Sequence, residues 1–429
     1  MGAVLGSYLV FDEFHLFPQE ARKTTLQLLR TVGKIAPFVL MTATFSQTML
    51  DEIGHLLGAT VITVPEAEVE AIETRRGEAT RKQRRYRVAD VPLEAKDVLQ
   101  THDRRTLAVC NTVDRAIGLF DDLLTQGCRS IPFGDIIPSE DFENLRAARE
   151  PDARQKLLRQ AVERVQEYLY QSPDENWAML LHSRFERPHR QVKEELLQTL
   201  WNPEGLTSNE APRLIVVGTQ VVEVGLDISA QTLHTEAAPA ASVLQRAGRC
   251  ARYPGEQGTV YLYPVPENKR GEPNYAPYGM DKIEKETCER SWEAFRKRDG
   301  EVLHFANEQE LINEAHTDAD RALLQAMHED EGSIWGQIAD ALTFHDASTR
   351  QNLIRKTTTS RTVIVYDAPL GMTEENPFVF NGFSLHIGTL RGKLEELQKK
   401  QKELGLAWSL RYVQPRDDEN DPDAPPLYY

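Results

Sequence analysis

Two adjacent carboxylates, Asp12 and Glu13, close the apolar run Val4 to Phe11 in the string DEFH. Acids at the tip of a buried strand suit a phosphate-bound Mg²⁺, one carboxylate holding the metal through water and the next orienting an attacking water. The plainer reading of the same pair is a helix N-terminal cap. About thirty residues on, Thr42-Ala43-Thr44 ends a second apolar run, Ala36 to Phe45, so its hydroxyls belong on the same sheet edge. A third string, Gly218 to Asp227 (GTQVVEVGLD), follows the apolar LIVV. The fourth, Gln245 to Arg252 (QRAGRCAR), sets Arg249 and Arg252 three apart, on one helix face. Two guanidinium forks on one face suit the spreading charge of a γ-phosphoryl group in transit. Each string alone is weak, whereas TQxxExGxD followed by QRAGRCAR is specific.

The elements that must position these residues read as α/β with parallel sheets, since strands covered on both faces are continuous apolar runs. A helix over about Gln19 to Thr31 separates the first two runs, Ser46 N-caps another toward Gly58, and Ala59 to Val64 reads as a third strand. The basic stretch Arg75 to Arg87 reads as an interlobe crossing. A second series follows, with strands at Thr106 to Cys110, Ala178 to His182, Leu214 to Gly218 and Thr259 to Tyr263. The expected organisation is a partial first lobe over 1–74, a basic linker over 75–87, and a second lobe over 88–265 with an insertion at about 129–172. A C-terminal accessory domain over 266–416 and an acidic tail over 417–429 complete it.

Size and composition bound the class. At 429 residues the chain has room for two or three domains, and 40% hydrophobic with 27% charged residues at a mean hydropathy of −0.48 fits neither a membrane protein nor a disordered chain. A net charge of −16 excludes a uniformly basic nucleic-acid coat and leaves only a local groove. Val4 to Phe11 lacks a basic flank and runs into acids, unlike a signal peptide. Four scattered cysteines form no CxxC pair, so a reducing cytoplasm is the expected compartment. Seven cations at 75–87 and the string Arg355 to Arg361 could face phosphates, or be an exposed linker and a surface turn.

In order, DEFH, TAT, TQVVEVGLD and QRAGRCAR resemble motifs II, III, V and VI of superfamily 2 helicases. With Leu107 to Ala116 (LAVCNTVDRA), Leu181 to Phe185 (LHSRF) and Ala238-Pro239 before QRAGR, the chain resembles the CRISPR-associated helicase-nuclease of type I interference systems over about residues 4 to 265. The resemblance implies tandem RecA-like P-loop-NTPase lobes and a C-terminal accessory domain. It also implies an ATP-driven, Mg²⁺-dependent motor moving 3′ to 5′ on single-stranded DNA, recruited by an RNA-guided surveillance complex, with an HD nuclease domain upstream. Carried over by position, Asp12 is the Mg²⁺ ligand through water, Glu13 the water-positioning base, and Arg249 and Arg252 the arginine fingers. Gln245 lies by the phosphates, and Gly225 and Asp227 by the nucleotide with Thr42 and Thr44. Asn111, Thr112, His182, Ser183, Arg184, Thr219 and Gln220 lie on the DNA path or interlobe relay.

The sequence also departs from that pattern. No GxxxxGK[ST] occurs, since Gly33-Lys34 and Gly392-Lys393 lack both the upstream glycine and the following hydroxyl. His102-Asp103 has no histidine cluster around it for a two-metal site. The expectation is therefore a fragment or one half of a split enzyme, its first lobe incomplete, that alone does not turn over ATP. Two rivals stand beside it: another superfamily 2 motor acting on RNA or duplex DNA, and a non-catalytic nucleic-acid-binding adaptor derived from a motor.

Overall fold

The computed structural model describes residues 7–63, 68, 82–148, 150–203, 211–329, 332, 336, 360–364, 382–405, 415–416 and 427–428. In chain order, β1 (Leu9–Phe11), α1 (Gln19–Val32), β2 (Phe38–Leu40) and α2 (Gln47–Leu57) form a small layer in which β1 and β2 pair in parallel, Leu9 opposite Phe38. Then come β3 (Gln83–Val88), α3 (Ala95–Thr101), β4 (Arg105–Val109), α4 (Val113–Thr125) and β5 (Arg129–Ser130). Three helices follow, α5 (Phe133–Ile136), α6 (Ser139–Ala147) and α7 (Pro151–Tyr170), so the stretch expected as an insertion is helical. The chain continues through β6 (Trp177–Leu181), α8 (Arg187–Leu200), β7 (Leu214–Gly218), β8 (Thr232–Glu236), α9 (Ala240–Ala247) and β9 (Gln257–Tyr263). Next are α10 (Lys282–Arg296), β10 (Val302–Leu303) and α11 (Phe305–Glu329), and lastly β11 (Ser360–Ile364), β12 (Gly382–His386) and α12 (Ile387–Leu404).

The main sheet runs β10-β3-β9-β8-β4-β7-β6-β5, parallel throughout except for the antiparallel edge strand β10. Its central strands are the apolar runs of the sequence, and Leu107, Ala108, Val109, Leu214, Val216 and Val217 have no exposed surface. Burial of whole strands on both faces is what an all-parallel sheet demands. No helix among the described residues is long and apolar enough to cross a membrane.

Three expectations change. Residues 59–63 form no strand and pair with none among the described residues, and Ile62 is 91% exposed; Val64 lies outside the described residues. Residues 83–87, expected in the linker, are the strand β3. Their cations serve the fold: Arg84 Nε donates to the Cys250 carbonyl at 2.8 Å and Arg85 to the Gly300 carbonyl at 2.6 Å. Residues 75–81 lie outside the described residues, as do 355–359 and most of the acidic tail. Residues 266–329 do not begin a separate domain but belong to the same compact unit as both sheets, with β10 pairing β3 and Leu323 and Leu324 of α11 packing into the first-lobe core of Phe14, Leu26, Phe45 and Met49. Residues 133–166, 182–196 and 358–429 form a second compact unit.

The two sheets should differ in local stability. Val10 and Val39 in the first are 60% and 50% exposed, whereas the central strands of the second are sealed. Hydrogen exchange of the monomeric chain should show residues 8–40 exchanging faster than β4, β7 and β8. Equal protection would contradict this account of the first sheet.

Candidate functional site

The second half of the site is built on one buried side chain. Arg246, on α9, has no exposed surface, and every nitrogen of its fork is engaged. Nε donates to Glu223 Oε1 at 2.7 Å, Nη1 to Asn111 Oδ1 at 3.0 Å and Thr235 Oγ1 at 2.9 Å, and Nη2 to the Tyr278 hydroxyl at 3.0 Å. Burial works against its charge, but Tyr278 and Glu223 outweigh that and raise the guanidinium pKa. A desolvated cation persists only when paired and hydrogen-bonded in this way. Asn111 extends the lattice: its backbone N–H donates to Glu236 Oε2 at 2.8 Å, its amide to the Ala237 carbonyl at 2.7 Å, and its carbonyl accepts from Gln220 at 2.8 Å.

From this frame the two predicted arginine fingers emerge. Arg249 donates to the backbone carbonyls of Val222 at 3.0 Å and Glu223 at 2.7 Å, while Arg252 pairs with the Asp227 carboxylate. Burial and the neighbouring Arg252 lower the Arg249 pKa, against the pull of Asp227 and Glu13. Gly225, at φ +81°, has open space where a Cβ would stand, so the loop presents bare backbone beside these groups.

The first half comes from the tips of β1 and β2. Glu13 sits in the left-handed region at φ 48° and ψ 44°, a conformation that costs a residue with a Cβ roughly 1–2 kcal/mol. Among the described residues the other non-glycine with positive φ is Ala251, between Cys250 and Arg252, so both strained positions fall within the singled-out motifs. Asp12 and Glu13 are exposed, and the Phe14 N–H donates to the Met41 carbonyl at 2.9 Å, which ties the acidic turn to the TAT strand. His15 joins the halves. Its Nδ1 meets Thr42 Oγ1 at 3.2 Å and lies 3.5 Å from Glu13 Oε2, and its Nε2 is in hydrogen-bond contact with the Gln245 amide. Burial, together with Arg22, lowers the His15 pKa to about 4, so the ring is neutral and Nε2 accepts.

The structure thus brings Glu13, Thr42, Gln245 and Arg249 together and places other expected residues elsewhere. Thr44 is buried, its hydroxyl without a hydrogen-bond partner among the described residues. Asn111 and Thr219 are also buried; Asn111 braces Arg246, and Thr219 is the N-cap residue of the short turn Gln220–Val222, without a side-chain cap bond. Thr112 is the N-cap of α4, accepting from the Arg115 N–H at 3.3 Å. In the second unit, the His182 ring is buried, accepts from the Arg184 N–H at 3.1 Å and stacks on Phe185 at 4.3 Å, while Lys193 lies over the same ring at 3.6 Å. Ser183 is exposed and Arg184 half-buried. His102 bonds Thr106 inside the fold, and no group of three or more potential metal ligands occurs among the described residues.

Sequence reasoning missed Arg246, Glu223, His15 and Tyr278. Arg246 and Glu223 stand inside the recognised strings, but an arginine is ordinarily an exposed residue. Two exposed carboxylates on a strained turn, opposite a pair of arginines, are the right donor chemistry for a hydrated divalent cation and a polyphosphate.

Residues 153–255 match the family described as CRISPR-associated nuclease/helicase Cas3, C-terminal. A CRISPR-associated nuclease/helicase Cas3 of Methanocaldococcus jannaschii is 34% identical over 98 residues, 23% of this chain and 13% of that protein. The CRISPR-associated endonuclease/helicase Cas3 of Thermus thermophilus is 30% identical over 204 residues, 45% of this chain and 20% of that protein. The matched segments thus span a fifth or less of those relatives. Crystal structures of T. fusca Cas3 with ADP and with ATP align at TM-scores of 0.52 and 0.53 and 21% identity, covering 83% and 84% of this chain and 42% and 43% of theirs. The shared fold is the pair of RecA-like lobes.

Removing the Arg246 side chain leaves Glu223 buried without its partner. Arg246→Ala should cost about 3–5 kcal/mol in denaturant unfolding, and Arg252→Ala, at an exposed pair, about 1 kcal/mol or less. Equal losses would contradict the bracing role of Arg246. Acid should also weaken the fold, because burial lowers His15, His102 and His316 to about 4 and His234 to about 3, below the ordinary imidazole value of 6.5. The unfolded chain therefore binds protons first, so stability is intact above about pH 6.5 and falls as pH drops toward 4. A melting temperature flat over that range would refute the buried neutral histidines.

Proposed function

We propose, from the chain's similarity to the CRISPR-associated nuclease/helicases, that it supplies the second RecA-like lobe and part of the first of an ATP-driven motor on single-stranded DNA in antiviral defence. The observation that carries the reading is the junction at His15, where the DEFH turn, the TAT strand and the QRAGR helix meet side chain to side chain. That is the geometry by which nucleotide state at one strand tip can reach the other lobe.

Asp12 would hold Mg²⁺ through water and Glu13 would orient the attacking water. ATP and Mg²⁺, when bound, supply the phosphoryl group and neutralise its charge. Arg249 and Arg252 are pre-oriented by the Val222 and Glu223 carbonyls and by Asp227, and would exchange those contacts for phosphate oxygens. The backbone at Gly225 gives close approach, and Asp227 would return to Arg252 afterwards. Positioning dominates phosphoryl transfer, so turnover requires a phosphate-binding loop that these 429 residues do not contain. Ser183 and Arg184, held by the His182–Phe185 stack, would contact the DNA backbone. Partners on this reading are single-stranded DNA, an RNA-guided surveillance complex, and the P-loop and HD nuclease portions of the family. The four buried free cysteines fit a reducing cytoplasm. The occupied arginines favour a second reading, a nucleic-acid-binding adaptor without turnover.

Mixing the chain with the matching upstream lobe decides between them. The motor reading expects hydrolysis stimulated by single-stranded DNA more than by RNA and abolished by Glu13→Gln or Arg249→Ala. Stimulation by RNA alone would move the chain to another class of helicase, and no hydrolysis from docked halves would favour the adaptor. Independently, Arg184→Ala should weaken single-stranded DNA binding several-fold and reduce its salt dependence between about 50 and 200 mM. Unchanged affinity would remove LHSRF from the DNA path.

A further inference from the structure

α11 presents one face to two helix N-termini. Gln309, Asn313, His316 and Asp320 recur at spacings of four, three and four, so they line a single stripe. Toward the first lobe, Gln309 Nε2 donates to the Phe45 carbonyl at 3.0 Å and Asn313 Oδ1 accepts from the Gln47 N–H at 2.8 Å. Asp320 Oδ2 accepts from the Ser46 hydroxyl at 2.5 Å and from its N–H at 3.3 Å. Ser46 is the N-cap of α2 and is separated from TAT only by Phe45. Toward the second lobe, His316 Nε2 accepts from the Ala241 N–H at 3.2 Å, at the start of α9. That start needs outside help, because its N-cap residue is Pro239, whose side chain offers no acceptor, and the first amides of a helix have no partner within it. Ser291 of α10 takes the neighbouring Ala240 N–H at 2.9 Å.

Arg22 of α1 joins the stripe from the first lobe. Its charge acts on both Asp320 and His316, and its buried Nε has no hydrogen-bond partner among the described residues. Burial, with Arg22, holds His316 neutral at a pKa of about 4, as an acceptor must be. Burial pushes the Asp320 carboxyl up, while the two Ser46 bonds and Arg22 pull it down.

We propose that α11 is a coupling brace in which Asp320 and His316, one turn apart, are positioning residues that fix the spacing between the helix after TAT and the helix carrying Gln245, Arg246 and Arg249. The consequence for nucleotide chemistry rests on the motor reading; the coupling does not. An opening at either contact shifts the shared stripe, so each lobe feels a change at the other's cap without any change at the site.

Hydrogen exchange on the full chain, without nucleotide, tests it. Asp320→Ala should speed exchange roughly tenfold or more over residues 47–57 and several-fold over residues 240–247 as well, and His316→Leu should do the converse. Asp320→Asn and His316→Gln keep an acceptor and should restore most protection in both places. Effects confined to the helix each residue touches would overturn the coupling. Should a truncation unfold the chain, seen as loss of protection in β4 and β7, Ser46→Ala removes the hydroxyl donor to Asp320, and with it the α2 cap on the Met49 N–H, while leaving α11 itself unchanged. Faster exchange at 240–247 in that variant supports the brace, and exchange confined to 47–57 overturns it. A failed hydrolysis assay has no bearing on these outcomes.

Discussion

A guanidinium with no exposed surface sits where four segments of the chain meet, and its need for partners dictates how they meet. Arg246 binds Glu223 from the TQVVEVGLD loop, Asn111 from the end of β4, Thr235 from β8, and Tyr278 beyond the main sheet. Burying that charge is unfavourable unless the geometry of all partners is correct together. The loop, the strand ends and α9 therefore adopt one mutual arrangement, and Arg249 and Arg252 inherit their positions from it.

Opposite this rigid frame stands a weaker one. β1 and β2 pair only with each other among the described strands, and their outward residues are widely exposed, yet they carry the acids in a strained turn. Strain at Glu13 persists because Phe14 is buried among aromatic rings and its N–H is bound to Met41. The first-lobe core is completed from elsewhere, by Leu323 and Leu324 of α11, and its helix cap is secured by Asp320 of the same helix. The site is thus fully hydrogen-bonded on the arginine side, while the acidic side is completed by residues of α11.

Much of this was legible in the residues themselves. Apolar runs ending in DE and TAT predict parallel strands whose tips share an edge, and the run before GTQ predicts a strand of the second sheet; both form there. What the pattern hid has physical reasons. A strand over 59–64 reads as apolar, but pairing decides strands, and residues 59–63 pair with no strand among the described residues. β3 is rich in arginine and reads as a linker, yet Arg84 reaches the Cys250 carbonyl and Glu308, and Arg85 the Gly300 carbonyl. Arg246 and Asn111 look like surface polar groups, since a sequence shows residue type and not the partners that allow burial. The brace could not be read from spacing alone, because Ser46 and Asp320 are 274 positions apart.

The central claim is that the DEFH turn and the QRAGR helix face each other across one site, with His15 and Gln245 in contact. All four native cysteines are buried, so thiols introduced at these two positions would react almost alone. Treating the His15→Cys/Gln245→Cys double variant with a short bifunctional maleimide should give an intramolecular crosslink in the folded chain, suppressed in denaturant and absent from either single variant. A folded chain whose two thiols react separately, without joining, would contradict the site as described.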